Sequence, residues 1–357
     1  MHGLLPWFVA TGYGAIRVPE RRELLKSWLQ DELRLGDVAL VPASGDASFR
    51  RYFRVQTGER SYIAVDAPPE REDSRPFVDI ARRFANLGLN VPEVLEADLQ
   101  RGLLLVTDLG TRDYLSALDE NTADRLYGDA LGALLVMQAC GPCADELPPY
   151  DRELLLREMR LFPDWFLSRH LGLALSSEET QLLADAFQHL ADAALSQPQV
   201  CVHRDFHSRN LLVTERQNPG ILDFQDAVIG PVTYDLVSLL RDAYIAWPRE
   251  QVESWALGYH DLASQSGVLR DTDSPADQAR FLRWFDWMGV QRQLKVAGIF
   301  ARLYHRDAKA GYLADIPRTV GYLREVTGRY DELANLHEFV ETRVVPALEA
   351  ERAARGG

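Results

Sequence analysis

The sequence predicts an α+β fold with a small β-rich N-terminal lobe and a larger, mainly helical C-terminal lobe. The 357 residues are too many for one compact core. Short apolar runs bounded by turn residues occupy the chain before Gly110, and longer stretches with apolar residues at helical spacing follow it. These observations divide the chain into an N-terminal extension at 1–18, an N-lobe at 19–109 and a C-lobe at 110–357.

The N-lobe is expected to combine short strands with two helices. The first helix is predicted where Leu25, Trp28 and Leu29 recur at helical spacing. The second should end at Gly88, because glycine is favoured just past the end of a helix. In chain order, we predict a helix at 20–33, strands at 38–42, 51–57 and 61–67, a helix at 75–87 and a strand at 102–109.

The C-lobe is expected to be helical except in one region near its middle. Helices are predicted at 111–140, 151–170, 177–195, 233–266, 277–306 and 316–352. Three apolar runs at 200–205, 211–214 and 221–224 are too short for helices and are bounded by turn residues. We therefore predict short strands embedded among the helices.

Charge and cysteine content limit the partners and the compartment. The net charge of −14 would repel nucleic acids and anionic membranes, and the chain has no long basic run to offset it. The cysteines, Cys140, Cys143 and Cys201, are too few for a disulfide framework and suit a reducing compartment. No signal peptide or membrane span is predicted. A cytoplasmic monomer with no nucleic-acid or membrane partner is therefore expected.

A His-Arg-Asp turn in the embedded strand region carries the chemistry. His203, Arg204 and Asp205 follow an apolar run, Asn210 comes five residues after that Asp, and Asp223 ends a second apolar run. Phosphoryl transfer needs one carboxylate for the attacking hydroxyl, and a carboxylate with an amide oxygen for Mg²⁺. The pattern is typical of kinases and predicts Asp205 as the catalytic base and Asn210 and Asp223 as metal ligands. A polar loop whose Asp and Asn only form turns is the alternative.

The segment 202–242 resembles the aminoglycoside phosphotransferase superfamily. It contains the run Asp-Phe-Gln-Asp at 223–226 and Gly-Pro-Val-Thr-Tyr-Asp at 230–235. Further matching stretches at 48–53, 66–69, 150–158 and 298–303 make the chain resemble the bacterial N-acetylmuramate/N-acetylglucosamine anomeric kinases of peptidoglycan recycling. This resemblance implies a protein-kinase-like fold, ATP as cosubstrate, Mg²⁺ and a small-molecule sugar. It also implies that His203 and Asp235 support the catalytic loop.

The nucleotide-binding residues depart from the protein-kinase pattern. The turn from Ser44 to Ser48 replaces a glycine-rich loop, although its backbone N–H groups can still bind phosphate. The third strand lacks the phosphate-binding lysine, so Arg50 and Arg51 are the nearest cations, and strand alternation lets at most one of them face the nucleotide. His207 is predicted to contact the γ-phosphate or the sugar. The adenine is expected between the lobes, against the backbone from Thr107 to Leu109.

The acceptor pocket is predicted from Gln225, Asp226, Trp287 and Arg292, because an indole face with polar neighbours suits a sugar ring. The alternative for the helical pair is a core-facing stripe. Other functions stay open: a kinase for choline, homoserine, methylthioribose or an aminoglycoside, and a pseudokinase, which only the missing lysine supports. The sequence leaves open both the choice between the two sugars and that between ATP and GTP.

Overall fold

The computed structural model describes residues 18–44, 49–58, 60–270 and 274–356. The chain divides into two compact units, one of Met1–Ser74 with Val94–Asp108 and the other of Arg75–Glu93 with Leu109–Gly357. The predicted N-lobe at 19–109 includes residues 75–93, whereas the contacts group that segment with the second unit. Of the predicted extension at 1–18, residues 1–17 lie outside the described part of the chain.

The first unit contains a five-stranded antiparallel sheet in the order β1-β2-β3-β5-β4. Its strands are β1 Val41–Ser44, β2 Arg51–Thr57, β3 Arg60–Asp66, β4 Val94–Asp98 and β5 Leu103–Thr107. The strand predicted at 51–57 is confirmed, and those predicted at 61–67 and 102–109 shift by one or two residues at their ends. Strand β4 was not predicted, because its central residues are exposed and carry no apolar alternation.

One helix covers this sheet. Helix α1, Val18–Ser27, continues into a π-helical turn at Trp28–Glu32. Its apolar face, which includes Leu25, Trp28 and Leu29, packs in one cluster with buried residues of the strands, among them Val55 and Leu105. Burial of this face explains why the helical spacing predicted the element correctly.

The second unit is mainly helical. Its α-helices are α2 Arg75–Asn86, α3 Tyr114–Ala117, α4 Ala123–Cys140, α5 Arg152–Met159, α6 Ser177–Leu195, α7 Tyr234–Leu240, α8 Arg249–Gln265, α9 Pro275–Asp307, α10 Ile316–Thr327, α11 Ala334–Phe339 and α12 Val345–Gly356. Helix α6 has the predicted bounds, and a capping box between Ser176 and Glu179 fixes its start.

Several predicted long helices are broken in the structure. The stretch predicted at 233–266 forms α7 and α8, and Pro248 immediately precedes the second helix. The stretch predicted at 151–170 becomes π-helical at Phe162–His170, with Pro163 in its first turn. The stretch predicted at 316–352 divides into short helical segments. Periodicity marked these regions as helical but not the interruptions within them.

Two short ribbons interrupt the helices. Strand β6, Gln199–Val202, pairs antiparallel with β9, Val228–Pro231, and β7, Leu211–Leu212, pairs with β8, Gly220–Ile221. They lie at or beside the short apolar runs predicted at 200–205, 211–214 and 221–224, and β9 was not predicted. Within the described residues, no helix is both long and apolar enough to cross a membrane.

Candidate active site

The catalytic turn begins where β6 ends. The Asp235 carboxylate, at the start of α7, accepts hydrogen bonds from the backbone N–H groups of His203 at 2.6 Å and Arg204 at 2.9 Å. Arg204 has φ of +77°, a conformation that non-glycine residues seldom adopt. Because such a conformation costs of order 1–3 kcal/mol, the two hydrogen bonds to Asp235 hold a turn that would otherwise relax.

The β7–β8 pair brings the two predicted metal ligands beside Asp205. Asn210 precedes β7 and Asp223 follows β8, and the backbone N–H of Leu222 donates to the Asn210 carbonyl at 2.9 Å. The Asn210 side-chain nitrogen donates to the Asp205 carbonyl at 3.0 Å and to Asp223 Oδ2 at 3.4 Å. The structure therefore gathers the three residues that the motif predicted as the chemical centre.

Phe224 anchors the segment that carries Asp223. Its side chain is fully buried, stacks on Phe77 with ring centroids 5.0 Å apart, and meets Phe84 edge-on at 5.8 Å. Both partners lie on α2. Asp223 itself has φ of +65°, so the aromatic packing fixes the residue next to a strained backbone position.

The half-buried Asp205 carboxylate lies in a positive environment. Burial acts to raise its pKa, but the charge of Lys295, with smaller effects from His207, Arg204 and Arg292, lowers the pKa below its ordinary value. Asp205 is therefore ionised at neutral pH. An ionised carboxylate can orient a hydroxyl and accept its proton.

A buried ion network lies behind this carboxylate. Glu158 on α5 forms ion pairs with Arg204 at 2.5 Å and with Lys295 at 3.2 Å, and it accepts a hydrogen bond from the Tyr150 hydroxyl. The Lys295 ammonium also donates to the Tyr234 hydroxyl at 2.8 Å. Burial acts to raise the pKa of Glu158, but the two cations lower it, so the network is charged.

Sequence reasoning did not assign this network a role. Glu158 lies in the stretch at 150–158 that carried part of the family resemblance, and Lys295 is one of three lysines in the chain. The rarity of lysine was visible in the sequence, but the separation of 137 positions between Glu158 and Lys295 hid their contact.

The two histidines of the turn are neutral. Burial lowers the pKa of His203 to about 4, and its Nδ1 accepts a hydrogen bond from the Asp205 backbone N–H at 3.3 Å. Burial also lowers the pKa of His207, whose ring meets Tyr244 edge-on with centroids 5.5 Å apart. Asp235 differs, because burial raises its pKa to about 7 despite its two backbone hydrogen bonds.

Gln225 and Asp226 occupy different environments. The Gln225 amide nitrogen donates to Asp223 Oδ1 at 2.6 Å, while its buried amide oxygen has no hydrogen-bond partner among the described residues. Asp226 is exposed. Gln225 is therefore part of the surroundings of Asp223, and a direct role for either residue in binding the acceptor stays a prediction.

The two acceptor-binding residues predicted on α9, Arg292 and Trp287, also lie in different environments. Arg292 is buried and lies within electrostatic range of Asp205. Trp287 is buried against Tyr330, with ring centroids 6.1 Å apart, and the Arg283 guanidinium lies 4.3 Å from its ring centroid. The structure thus places Arg292 within electrostatic range of Asp205, whereas Trp287 contacts Arg283 on its own helix and Tyr330 in the connection after α10.

The predicted phosphate-binding cations of the first unit have carboxylate partners there. Arg51 pairs with Asp66, a fully buried residue that also accepts from Arg21 Nε at 2.7 Å. Arg50 lies 3.5 Å from Glu72. The lysine-free third strand thus ends in a carboxylate bound by arginines. The assignment of each arginine as a phosphate ligand stays a prediction.

The remaining nucleotide-binding predictions fall at element ends or outside the described residues. Ser48 and the side chain of Ser44 lie outside the described part of the chain. Thr107 is the last residue of β5 in the first unit. Leu109 belongs to the second unit, where its side chain lies within 3.4 Å of a Cβ built on Gly220.

Comparison with known proteins identifies the family. The model of the phosphotransferase enzyme family matches residues 39–276. The N-acetylmuramate/N-acetylglucosamine kinase of Pseudomonas aeruginosa is 48% identical over 301 residues, covering 84% of this chain and 87% of that protein. The kinases of the same name from Pseudomonas putida and Neisseria meningitidis are 46% and 44% identical, covering 90% and 89% of this chain and 96% and 94% of theirs.

Solved structures share the fold at low sequence identity. The ADP-bound aminoglycoside phosphotransferase APH(2'')-Ib superposes with a TM-score of 0.56 at 16% identity, covering 85% of this chain and 98% of its own. The choline kinase LicA of Streptococcus pneumoniae gives a TM-score of 0.55 at 12% identity, covering 85% and 99%. These similarities confirm the predicted α+β, protein-kinase-like fold. The chain belongs to the phosphotransferase enzyme family that its catalytic motif indicated, and it is a phosphotransferase.

Proposed function

We propose that the protein is an ATP- and Mg²⁺-dependent kinase that phosphorylates the anomeric hydroxyl of N-acetylmuramate, N-acetylglucosamine or both, giving the sugar 1-phosphate. The observation that carries the proposal is the identity of 44–48% to kinases named for these two sugars, over most of each chain. The catalytic centre of Asp205, Asn210 and Asp223 supports it, since a binding protein has no need for all three groups.

In the proposed reaction, Asp205 accepts the proton of the acceptor hydroxyl. The acceptor hydroxyl oxygen forms a bond to the γ-phosphorus of ATP, the bond from that phosphorus to the bridging oxygen breaks, and ADP leaves with the electron pair. The hydroxyl proton passes to the Asp205 carboxylate, which its cationic neighbours keep ionised. An anomeric hydroxyl is more acidic than an ordinary alcohol, so a carboxylate is a sufficient base.

The Mg²⁺ ligands would be Asn210 and Asp223. Magnesium is usually bound by one or two carboxylates together with substrate phosphates, and it keeps several waters. Asp223 supplies a carboxylate, and Asn210 offers an amide oxygen that takes no part in the two hydrogen bonds of its nitrogen. In the described ranges, no three His, Cys, Asp or Glu side chains form a metal-binding group, so a site completed by phosphates suits this donor set. When bound, Mg²⁺ would neutralise charge on the nucleotide phosphates.

The rest of the protein supplies alignment. Asp235 fixes the backbone of the catalytic turn, and Glu158 holds Arg204 and Lys295 behind it. Alignment of two bound reactants can account for a large part of an enzymatic rate enhancement. We further propose that the enzyme acts as a monomer in the cytoplasm, where ATP is available.

Phosphorus NMR of the reaction products tests this function. The purified protein is incubated with ATP and Mg²⁺ and with N-acetylmuramate, N-acetylglucosamine, choline, homoserine or an aminoglycoside in separate reactions. We expect a new anomeric phosphate signal with one or both amino sugars and none with the other acceptors. A phosphate ester at any other hydroxyl, or turnover confined to an amino alcohol or aminoglycoside, would contradict the proposal.

A further inference from the structure

The side chain of Arg292 is buried, but unlike Arg241 and Arg249 it has no carboxylate partner among the described residues. Its side chain lies in the middle of α9 and is 3% exposed. Neither Nε nor Nη1 has a hydrogen-bond partner among the described residues, which also provide no carboxylate within 4.0 Å. An unpaired buried charge costs several kcal/mol, so its presence in a native fold calls for a compensating group.

The buried Arg241 and the largely buried Arg249 of the same unit show what such compensation looks like. Arg241 binds Glu325 through both terminal nitrogens, at 2.7 and 3.0 Å. Arg249 binds Asp286 in the same way, at 2.5 and 2.8 Å. The unit therefore pairs buried guanidinium groups with carboxylates where their role is structural. Arg292 has the same kind of donors and no such partner from the described protein.

Arg292 lies within electrostatic range of Asp205, His207, Asp235 and Tyr244. Its helix, α9, packs against α7, which carries Asp235. A free guanidinium beside the residue that activates the acceptor is placed to bind an anionic group of that acceptor.

The ionised side chains near Asp205 leave Arg292 without a counterion of its own among the described residues. Arg204 and Lys295 share Glu158 as their carboxylate partner, so these three residues together carry one positive charge. Arg292 adds a second positive charge, and the ionised Asp205 carboxylate removes one. A buried guanidinium with no carboxylate partner among the described residues suits an anionic group of a ligand and not a polycation such as an aminoglycoside.

We infer that Arg292 binds the lactyl carboxylate of N-acetylmuramate and so determines the affinity for the acidic sugar relative to the neutral one. The inference rests on the proposed function and adds a recognition site to it. The two sugars differ in the lactyl ether, which carries a carboxylate that N-acetylglucosamine lacks. A guanidinium presents paired N–H donors that match a carboxylate, which a lysine ammonium does not.

Steady-state kinetics of Arg292→Gln with both sugars tests the inference. We expect KM for N-acetylmuramate to rise by about 10- to 100-fold, because a charge-assisted pair is lost. The KM for N-acetylglucosamine should rise by less than about threefold, since that sugar has no carboxylate, and any fall in kcat from the lost charge near Asp205 should be the same for both sugars. Arg306→Gln is the matched control: Arg306 is exposed on the same helix, pairs with its neighbour Asp307, and should affect neither sugar.

A second substrate supplies an independent readout. The N-acetylmuramate methyl ester removes the negative charge without removing the lactyl group. Wild-type enzyme should bind the ester more weakly than the acid by about the same factor as the substitution causes, and Arg292→Gln should not distinguish ester from acid. Such coupling between one side chain and one ligand charge would not arise from a purely structural role.

The following outcomes would overturn the inference. An equal rise in KM with both sugars would show that Arg292 serves the transferred phosphoryl group or the charge of Asp205 instead. Unchanged kinetics with N-acetylmuramate would show that it binds no acceptor group. If Arg292→Gln does not fold, Arg292→Lys keeps the charge, and a selective but smaller rise in the N-acetylmuramate KM is then required. Wild-type enzyme that phosphorylates neither sugar would refute the proposed function together with this inference.

Discussion

At the scale of single residues, the catalytic centre depends on two strained backbone positions. Arg204 and Asp223 both have positive φ values, +77° and +65°. The first is held by the Asp235 carboxylate and the second by the packing of Phe224 against α2. These supports hold the proposed catalytic carboxylate and the proposed metal ligands on short connecting segments that have no regular structure of their own.

The neutral state of His203 gives a prediction about acid stability. The folded protein holds the pKa of His203 near 4, below the ordinary value of 6.5, because the ring is fully buried. Between these values the unfolded chain binds a proton that the native state does not, so stability falls as the pH is lowered from about 6.5 to about 4. The full shift corresponds to about 3 kcal/mol.

Urea denaturation of wild type and His203→Gln from pH 7 to pH 4.5 measures this contribution. Other titrating groups act in both proteins, so their effects cancel in the comparison. Wild type should lose about 2–3 kcal/mol more stability than the variant over this interval. Parallel pH dependences of the two proteins would show that His203 does not resist protonation in the folded state.

At the scale of elements, helix α9 is central to the packing of the second unit. It is buried over most of its length and supplies Lys295 to the Glu158 network and Arg292 to the catalytic centre. Gly298 on this helix lies against the backbone of Leu161. A Cβ built at Gly298 would come within 2.6 Å of the Leu161 Cβ, closer than real side chains approach.

Gly298→Ala should therefore destabilise the fold even though alanine favours helices. Overpacking against backbone cannot be relieved by a rotamer change, so we expect a loss of at least about 1–3 kcal/mol in the free energy of unfolding. Gly321→Ala on α10 is the matched substitution, because a Cβ there meets nothing within 4 Å. It should stabilise the protein by up to about 1 kcal/mol. Chemical denaturation that gave both variants the same sign would refute this packing.

Glu158 links α5 to α9 and to the catalytic turn. Glu158→Gln would leave Arg204 and Lys295 buried with no ionised partner at this position, so we expect a loss of about 3–5 kcal/mol in unfolding free energy. Glu153→Gln on the same helix is the control, since Glu153 is 85% exposed and its pair with Arg157 spans 3.7 Å. It should change stability by less than about 0.5 kcal/mol. Similar effects of the two substitutions, compared by urea titration, would show that the buried network contributes no more than a surface pair.

At the scale of the whole molecule, local sequence patterns predicted the architecture and the grouping of the residues that we propose as the catalytic centre. The helix at 177–195 and the strand at 51–57 were found with their observed bounds, because each has a buried face with regular spacing and clear ends. Asp205, Asn210 and Asp223 were found together, because the motif fixes residue types within one short segment.

Features that depend on distant contacts were not predictable. Strand β4 has exposed central residues, and pairing with β5 makes it a strand. The Glu158–Lys295 ion pair joins two helices that no local pattern relates. Trp287 had the expected helical spacing for an acceptor residue, yet spacing alone could not show that it packs against Tyr330. Periodicity identifies buried faces, and it does not identify what they are buried against.

Comparison of turnover and ATP affinity in Asp205→Asn tests the central claim most directly. The substitution keeps the shape of the side chain and removes the base, so kcat with the best amino sugar should fall by about 10²- to 10⁴-fold. The Kd for ATP measured by calorimetry should stay within about threefold of wild type. Asp185→Asn, at an exposed site on α6, is the control and should retain full activity. A fall in kcat of less than about tenfold, in a folded protein that binds ATP normally, would contradict the assignment of Asp205 as the catalytic base.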